Sequence, residues 1–181
     1  MLEVTEKKVT IRIAQECEFM EVRAFYHSLI DQTQDAPYGP GWQKGIYPSD
    51  EYLMDSIRSG ELWAAISEEK IAGAMIINHS CNDGYDTVKW KVKADAGEFT
   101  VIHTLAVHPD FSGQGIAAKM LEKVFSIARE QRQKAIRLDV LRGNVPAERL
   151  YTFMGFQYID TVSMFYEDTG WTDFELYEYR L

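Results

Sequence analysis

The stretch Glu98–His108, EFTVIHTLAVH, constrains the fold more than any other part of the chain. Its apolar residues fall on successive positions, so both faces of a strand built from it must be covered. Such a strand belongs in the middle of a sheet. Directly after it the chain turns through Pro109, Gly113 and Gly115 into an amphipathic run. Ile116, Ala117, Met120, Leu121, Val124, Phe125 and Ala128 form one apolar face, and Lys119, Glu122, Lys123, Arg129 and Glu130 lie off it. Two glycines therefore stand where a central strand meets a helix N-terminus. Free N–H groups and the positive end of the helix dipole gather at such a point, and glycine lets the backbone approach an anion with no Cβ between them.

The rest of the chain supplies the layers. Lys8–Ala14 alternates and predicts a first strand. Phe19, Val22, Phe25, Tyr26, Leu29 and Ile30 recur at helical spacing. Asp35–Asp50 is a loop rich in Pro and Gly, after which Ser49 or Asp50 caps a short helix carrying Tyr52, Leu53 and Ile57. Two apolar runs flank Ser67-Glu68-Glu69-Lys70 and predict a hairpin. Residues 81–97 are polar and irregular, with a short strand expected around Val88–Val92. Ala135–Leu141 reads as a strand, 145–156 as a short helix, and Phe156–Met164 and Phe174–Arg180 as closing strands. The order β-α-α-β-β-β-α-β-α-β-β predicts a mixed sheet with helices on it.

Composition excludes several roles. With 181 residues, 46% hydrophobic and 26% charged, the chain suits one domain with a real core. No run approaches the roughly 20 apolar residues of a membrane span, and the opening residues lack the apolar run of a secretory signal. A cytoplasmic protein with no membrane partner is the expectation. Cys17 and Cys81 form no metal-binding spacing and read as reduced thiols, so no metal site is expected. The formal net charge is −9 with scattered basic residues, which argues against a nucleic-acid partner; the acidic balance reads first as solubility and only weakly as a field favouring a cationic substrate such as an amine.

The glycine turn fits neither of two common nucleotide patterns. A P-loop needs Gly-Lys-Ser/Thr, and Gly115 is followed by Ile116. A dinucleotide fingerprint could use Gly113, Gly115 and Ala118, but this turn lies beyond the midpoint, after a hairpin-rich half. Leu105–Leu121, LAVHPDFSGQGIAAKML, instead resembles the acetyl-CoA-binding motif of the GNAT superfamily of N-acetyltransferases, with Leu105, Ala106 and Val107, then His108-Pro109, then Ser112-Gly113-Gln114-Gly115-Ile116-Ala117. A second block resembles the family through Asn144, Ala147, Leu150, Tyr151, Gly155 and Phe156. One departure is Ser112, where the family usually places Arg or Gln.

The resemblance implies a three-layer α+β fold: one domain over 1–181, a mixed, largely antiparallel sheet of six or seven strands, and about four flanking helices. The cofactor-binding core would span about residues 99–156. It implies acetyl transfer from acetyl-CoA to a primary amine of a small molecule or peptide, by direct attack in a ternary complex. Leu105, Ala106 and Val107 would meet the pantetheine arm. Backbone amides from Gly113 to Ala118, with Ser112, Gln114, Ile116 and Ala117 in the same turn, would cradle the pyrophosphate. Asn144 would contact cofactor or water, or simply cap a helix. Tyr151, brought inward with Ala147, Leu150 and Met154 by helical spacing, would protonate the departing thiolate, against the reading of a packed core tyrosine.

The base is open. His103, two residues before Leu105 and expected on the same face, is one candidate or a buried structural histidine; Glu98 is a rival; a water chain would need neither. Specificity would come from the first two helices, their loop and the insert, which direct attention to Tyr38, Trp42, Tyr47, His79 and Trp90; such aromatics wall a pocket or, more commonly, anchor the loop to the core. A homodimer is common in the superfamily, though no residue names an interface. The alternative role is a catalytically weak acyl-CoA-binding sensor of the same fold, which the Ser112 departure permits and the retained Tyr151 opposes.

Overall fold

Among the described residues, seven strands and four α-helices follow one another in the expected order: β1 (Thr10–Ile13), α1 (Phe19–Thr33), α2 (Asp50–Arg58), β2 (Leu62–Ser67), β3 (Lys70–Asn78), β4 (Phe99–Val107), α3 (Ile116–Glu130), β5 (Ala135–Leu141), α4 (Val145–Phe153), β6 (Gln157–Tyr166) and β7 (Gly170–Arg180). The structure, a computed structural model, describes residues 8–181. Residues 1–7, which carry part of the secretory-signal reading and the start of the 1–181 domain, lie outside the described residues.

The strands form one sheet in the order β1-β2-β3-β4-β5-β7-β6. Every neighbouring pair is antiparallel except β4 and β5, which run parallel. The sheet is thus mixed and largely antiparallel. The doubly apolar β4 is its central strand, with a helix layer on each face. On one face α3 sets Met120, Leu121 and Val124 against Met75, Ile136 and Leu138. On the other, Val22, Tyr26 and Leu29 of α1 and Leu53 and Ile57 of α2 cover Ala64, Ala74 and Ile76. Each large aliphatic side chain buried this way stabilises by about 1.5–3 kcal/mol.

Further along the α1 face, the insert between β3 and β4 takes the place of a helix. The short strand expected around Val88–Val92 does not form; a 3-10 turn over Asp83–Thr87 leads into irregular chain. The reason is where its backbone bonds go. Lys91 and Val92 donate their N–H groups to Glu178 Oε1, each at 3.0 Å, and Val92 O accepts from Arg137 Nη2 at 3.0 Å. A buried ion pair, Arg137 Nε to Glu178 Oε2 at 3.0 Å, therefore does the work of a neighbouring strand. The guanidinium also lies 4.2 Å from the Trp90 ring centre and 4.1 Å from that of Phe99, a cation–π sandwich that pins the insert to the sheet.

Candidate active site

The site begins where two strands part. β4 and β5 pair only from Phe99/Ala135 to Val101/Arg137, and past that point no strand among the described residues fills the gap between them. On its other side β4 stays paired with β3 out to Val107. The backbone of Leu105–Val107 therefore has an unpaired edge facing β5.

A β-bulge shapes this edge. The register with β3 shifts between Ala74/Ala106 and Ile76/His103, and Thr104 adopts φ +50°. For a β-branched residue this left-handed conformation is strained. It is held by Tyr26 of α1, whose hydroxyl donates to Thr104 O at 3.1 Å and lies 3.1 Å from Thr104 Oγ1. The extra residue also reverses the alternation of the strand. Leu105 and Val107 pack on the α3 side, while His103 pairs with Ile76 on the α1 side. The sequence expectation that His103 and Leu105 share a face is corrected here: the period-2 rule holds only for an unbroken ladder.

The parted strands enclose a cavity of about 90 Å³ that runs between the two faces of the sheet. Leu105, Val140 and Tyr151 reach it from the α3 side, and His103, Asp139 and Tyr166 from the other. Tyr151 is buried, edge-on to Phe156 at 5.6 Å. Burial, and then the charge of Asp139, push its phenol above the usual range, so it is protonated at neutral pH.

His103 Nε2 donates to Asn78 Oδ1 at 2.8 Å, an acceptor that also takes the Ser80 N–H. Burial lowers its pKa to about 4, so the ring is neutral at neutral pH and a weak base. Glu98 lies just before the far end of β4, half-buried and ion-paired with Lys134, away from the cavity. Asn144 caps α4 through Oδ1, which accepts from Ala147 N at 3.4 Å, and it also lines the cavity.

The residue that sequence reasoning missed is Asp139. It projects from β5 into the cavity, and its Oδ2 accepts from Tyr85 Oη at 2.9 Å and Tyr166 Oη at 3.1 Å. Burial raises its pKa while the two phenols pull it back down. The available signal was the charge itself: an aspartate in the apolar strand AIRLDVL must have partners or a task.

Of the five loop residues proposed for specificity, Trp42 and Tyr47 wall the cavity and Tyr38 lines a neighbouring surface groove. His79 and Trp90 follow the anchoring alternative and hold the insert, through His79 Nδ1 to Phe99 O at 2.7 Å and Trp90 Nε1 to Tyr85 O at 2.8 Å. The loop is fastened over the cavity by Gln43 Nε2, which donates to Asp168 O at 2.5 Å. It passes so close that a Cβ on Gly41, at φ +77°, would meet Leu141 at 2.9 Å.

At the outer end of β4, the turn predicted to cradle an anion has fitting chemistry. Gly113 and Gly115 both have positive φ, and a Cβ added at either would meet nothing within 4 Å. α3 starts with no side-chain cap and no acidic residue in its first turn, whereas Ser49 caps α2 and Asn144 caps α4. Its first amides are thus left for an outside acceptor. Ser112 is exposed beside them, its N–H bonded to Pro109 O at 3.0 Å.

No helix among the described residues is long and apolar enough to cross a membrane. Comparison with known proteins agrees with the architecture. An uncharacterized N-acetyltransferase of Archaeoglobus fulgidus is 46% identical over 101 residues, covering 56% of this chain and 62% of that relative, less than two thirds of its length. A GNAT family acetyltransferase from Streptococcus agalactiae superposes with a TM-score of 0.78 at 19% identity, covering 96% of this chain and 95% of that one. The structure of yncA from Salmonella typhimurium, solved with its cofactor acetyl-CoA, has a TM-score of 0.68 at 15% identity and covers 96% and 94%. The model of the acetyltransferase (GNAT) family matches residues 23–156, so the parted strands, the glycine turn and the family match converge: this chain belongs to the GNAT family of acetyltransferases.

Proposed function

We propose that the chain acts as one N-acetyltransferase domain, moving an acetyl group from acetyl-CoA to a primary amine by direct attack in a ternary complex. The observation that carries this reading is the gap beyond Val101 and Arg137, which leaves a free β4 edge beside a cavity holding Tyr151. The yncA relative was solved with acetyl-CoA, and the residues here fit the same cosubstrate.

Leu105, Ala106 and Val107 offer backbone groups to the pantetheine amides, as an added strand would. The uncapped amides of Gly113 to Ala118, including those of Gln114, Ile116 and Ala117, take the pyrophosphate, with Ser112 alongside. Acetyl-CoA supplies a thioester carbonyl open to attack and a thiolate leaving group. Tyr151 holds a proton at its phenol for that thiolate. Asn144 keeps the start of α4, and with it Tyr151, in place. His103, neutral and fixed by Asn78, shapes the acceptor side and is too weak a base at neutral pH to hold the amine proton alone.

The test is release of free CoA thiol from acetyl-CoA across an amine panel, with binding followed by thermal shift. Turnover with at least one amine is expected, and Gly115→Val, which forces a β-branched residue to φ +71°, is expected to abolish acetyl-CoA binding. Binding without turnover on any amine would refute catalysis and leave the sensor role.

A further inference from the structure

The cavity wall on the α1 side carries two carboxylates and no lysine or arginine. Asp139 sits on β5. Asp168 sits in the turn between β6 and β7, next to Thr169. Asp139 engages Tyr85 and Tyr166 through Oδ2 alone, and no hydrogen bond among the described residues reaches its Oδ1. Asp168 is 8% exposed, and its Oδ1 is buried without a partner, as is Thr169 Oγ1. Two acids face one space with no counter-charge, and burial raises the pKa of both, so a cation between them is what would hold both ionised. Both act on the Tyr166 phenol between them, raising its pKa after burial has done so. Trp42, Tyr47 and Tyr166 supply aromatic faces, and the closed loop leaves only a narrow space.

We propose that this space is the acceptor subsite and that its substrates are short aliphatic amines carrying a second cationic nitrogen, the reacting one on Asp139 and the other on Asp168. The proposal rests on the acetyltransferase reading above. A single ammonium would hold only one of the two carboxyls in its ionised form. A dication satisfies both, and the aromatic faces favour cations over neutral amines. A cavity of about 90 Å³ under the fastened loop suits a short aliphatic chain better than a bulky aryl amine or a folded protein terminus.

The same arrangement gives Asp139 a part in the reaction. One ammonium proton passes to Asp139 Oδ1, which frees the nitrogen lone pair. The nitrogen attacks the thioester carbonyl, so a C–N bond forms and the C–S bond breaks. The second nitrogen proton reaches the thiolate by way of Tyr151, which is left unchanged. Asp139 then returns its proton to water. The balance is an acetamide, a CoA thiol and one proton.

The test compares unbranched diamines of graded chain length with the matching monoamines and with a short peptide, at saturating acetyl-CoA. The expected result is a kcat/KM for the preferred diamine at least tenfold above that for its monoamine, with the peptide below both. Asp168→Asn should bring the diamine-to-monoamine ratio to about one. Asp139→Asn should lower kcat about 100-fold near neutral pH and recover in part as pH rises and free amine becomes available. Equal rates for diamine and monoamine in the unmodified protein, or a ratio that survives Asp168→Asn in a variant with an unchanged melting transition, would overturn the proposal. Turnover confined to peptides or aryl amines overturns it while leaving the acetyltransferase reading intact. Binding of acetyl-CoA with no turnover on any amine overturns both.

Discussion

Replacing Tyr26 by Phe isolates one hydroxyl and, with it, the bulge in β4 just beyond the point where β4 and β5 part. The ring would keep its place, edge-on to Phe25 at 5.0 Å and to Trp42 at 5.9 Å, so little packing is lost. What goes is the bond to Thr104 O at 3.1 Å. A buried hydrogen bond contributes about 0.5–1.5 kcal/mol net, and an acceptor left unsatisfied costs about 1–3 kcal/mol. Thr104 is buried and strained at φ +50°, a conformation worth of order 1–3 kcal/mol. The hydroxyl is therefore matched in size to the strain it restrains. Tyr26→Phe should lose about 1–3 kcal/mol in urea denaturation and raise the KM for acetyl-CoA several-fold, as the Leu105–Val107 edge moves. Thr104→Gly relieves the strain, so in that background the loss from Tyr26→Phe should shrink by at least about 0.5 kcal/mol. A single variant that loses under about 0.5 kcal/mol with an unchanged KM would refute the idea that Tyr26 holds the bulge.

Other perturbations test separate parts. Tyr151→Phe should lower kcat about 10- to 100-fold with KM for acetyl-CoA little changed, and equal rates at saturating substrates would remove it as the acid. His103 titrates near 4 in the fold and near 6.5 when unfolded, because burial disfavours its charged form. The unfolded chain thus binds the extra proton between those values, so stability should fall as pH drops from about 6.5 to about 4, by about 3 kcal/mol; a His103→Gln variant should lack that part of the acid slope in a denaturation series. Glu178→Gln leaves Arg137 buried without its counter-charge and should cost about 3–5 kcal/mol, with the insert becoming protease-sensitive first; a loss under about 1 kcal/mol would show that the cation–π contacts suffice.

Much of the fold was readable because its signals are local. The doubly apolar β4, the amphipathic α3 and the breaker-rich loop each follow from short-range periodicity, and all fell where expected. The insert was not readable in this way. Val88–Val92 has the residues of a strand, but its bonding partners, Arg137 and Glu178, lie far away in sequence. The faces of His103 and Leu105 were misjudged for a similar reason: a bulge held from α1 by Tyr26 leaves no mark in the strand's own composition.

The sequence by itself determined the central strand, the helix after it, the glycine turn between them, and the inward Tyr151, because each depends on neighbours within a few residues. Only the tertiary structure decided that β4 and β5 part after Val101, and that Asp139 and Asp168 face one aromatic cavity. Those outcomes depend on pairing between distant segments, and strand periodicity carries no record of which partner ends where.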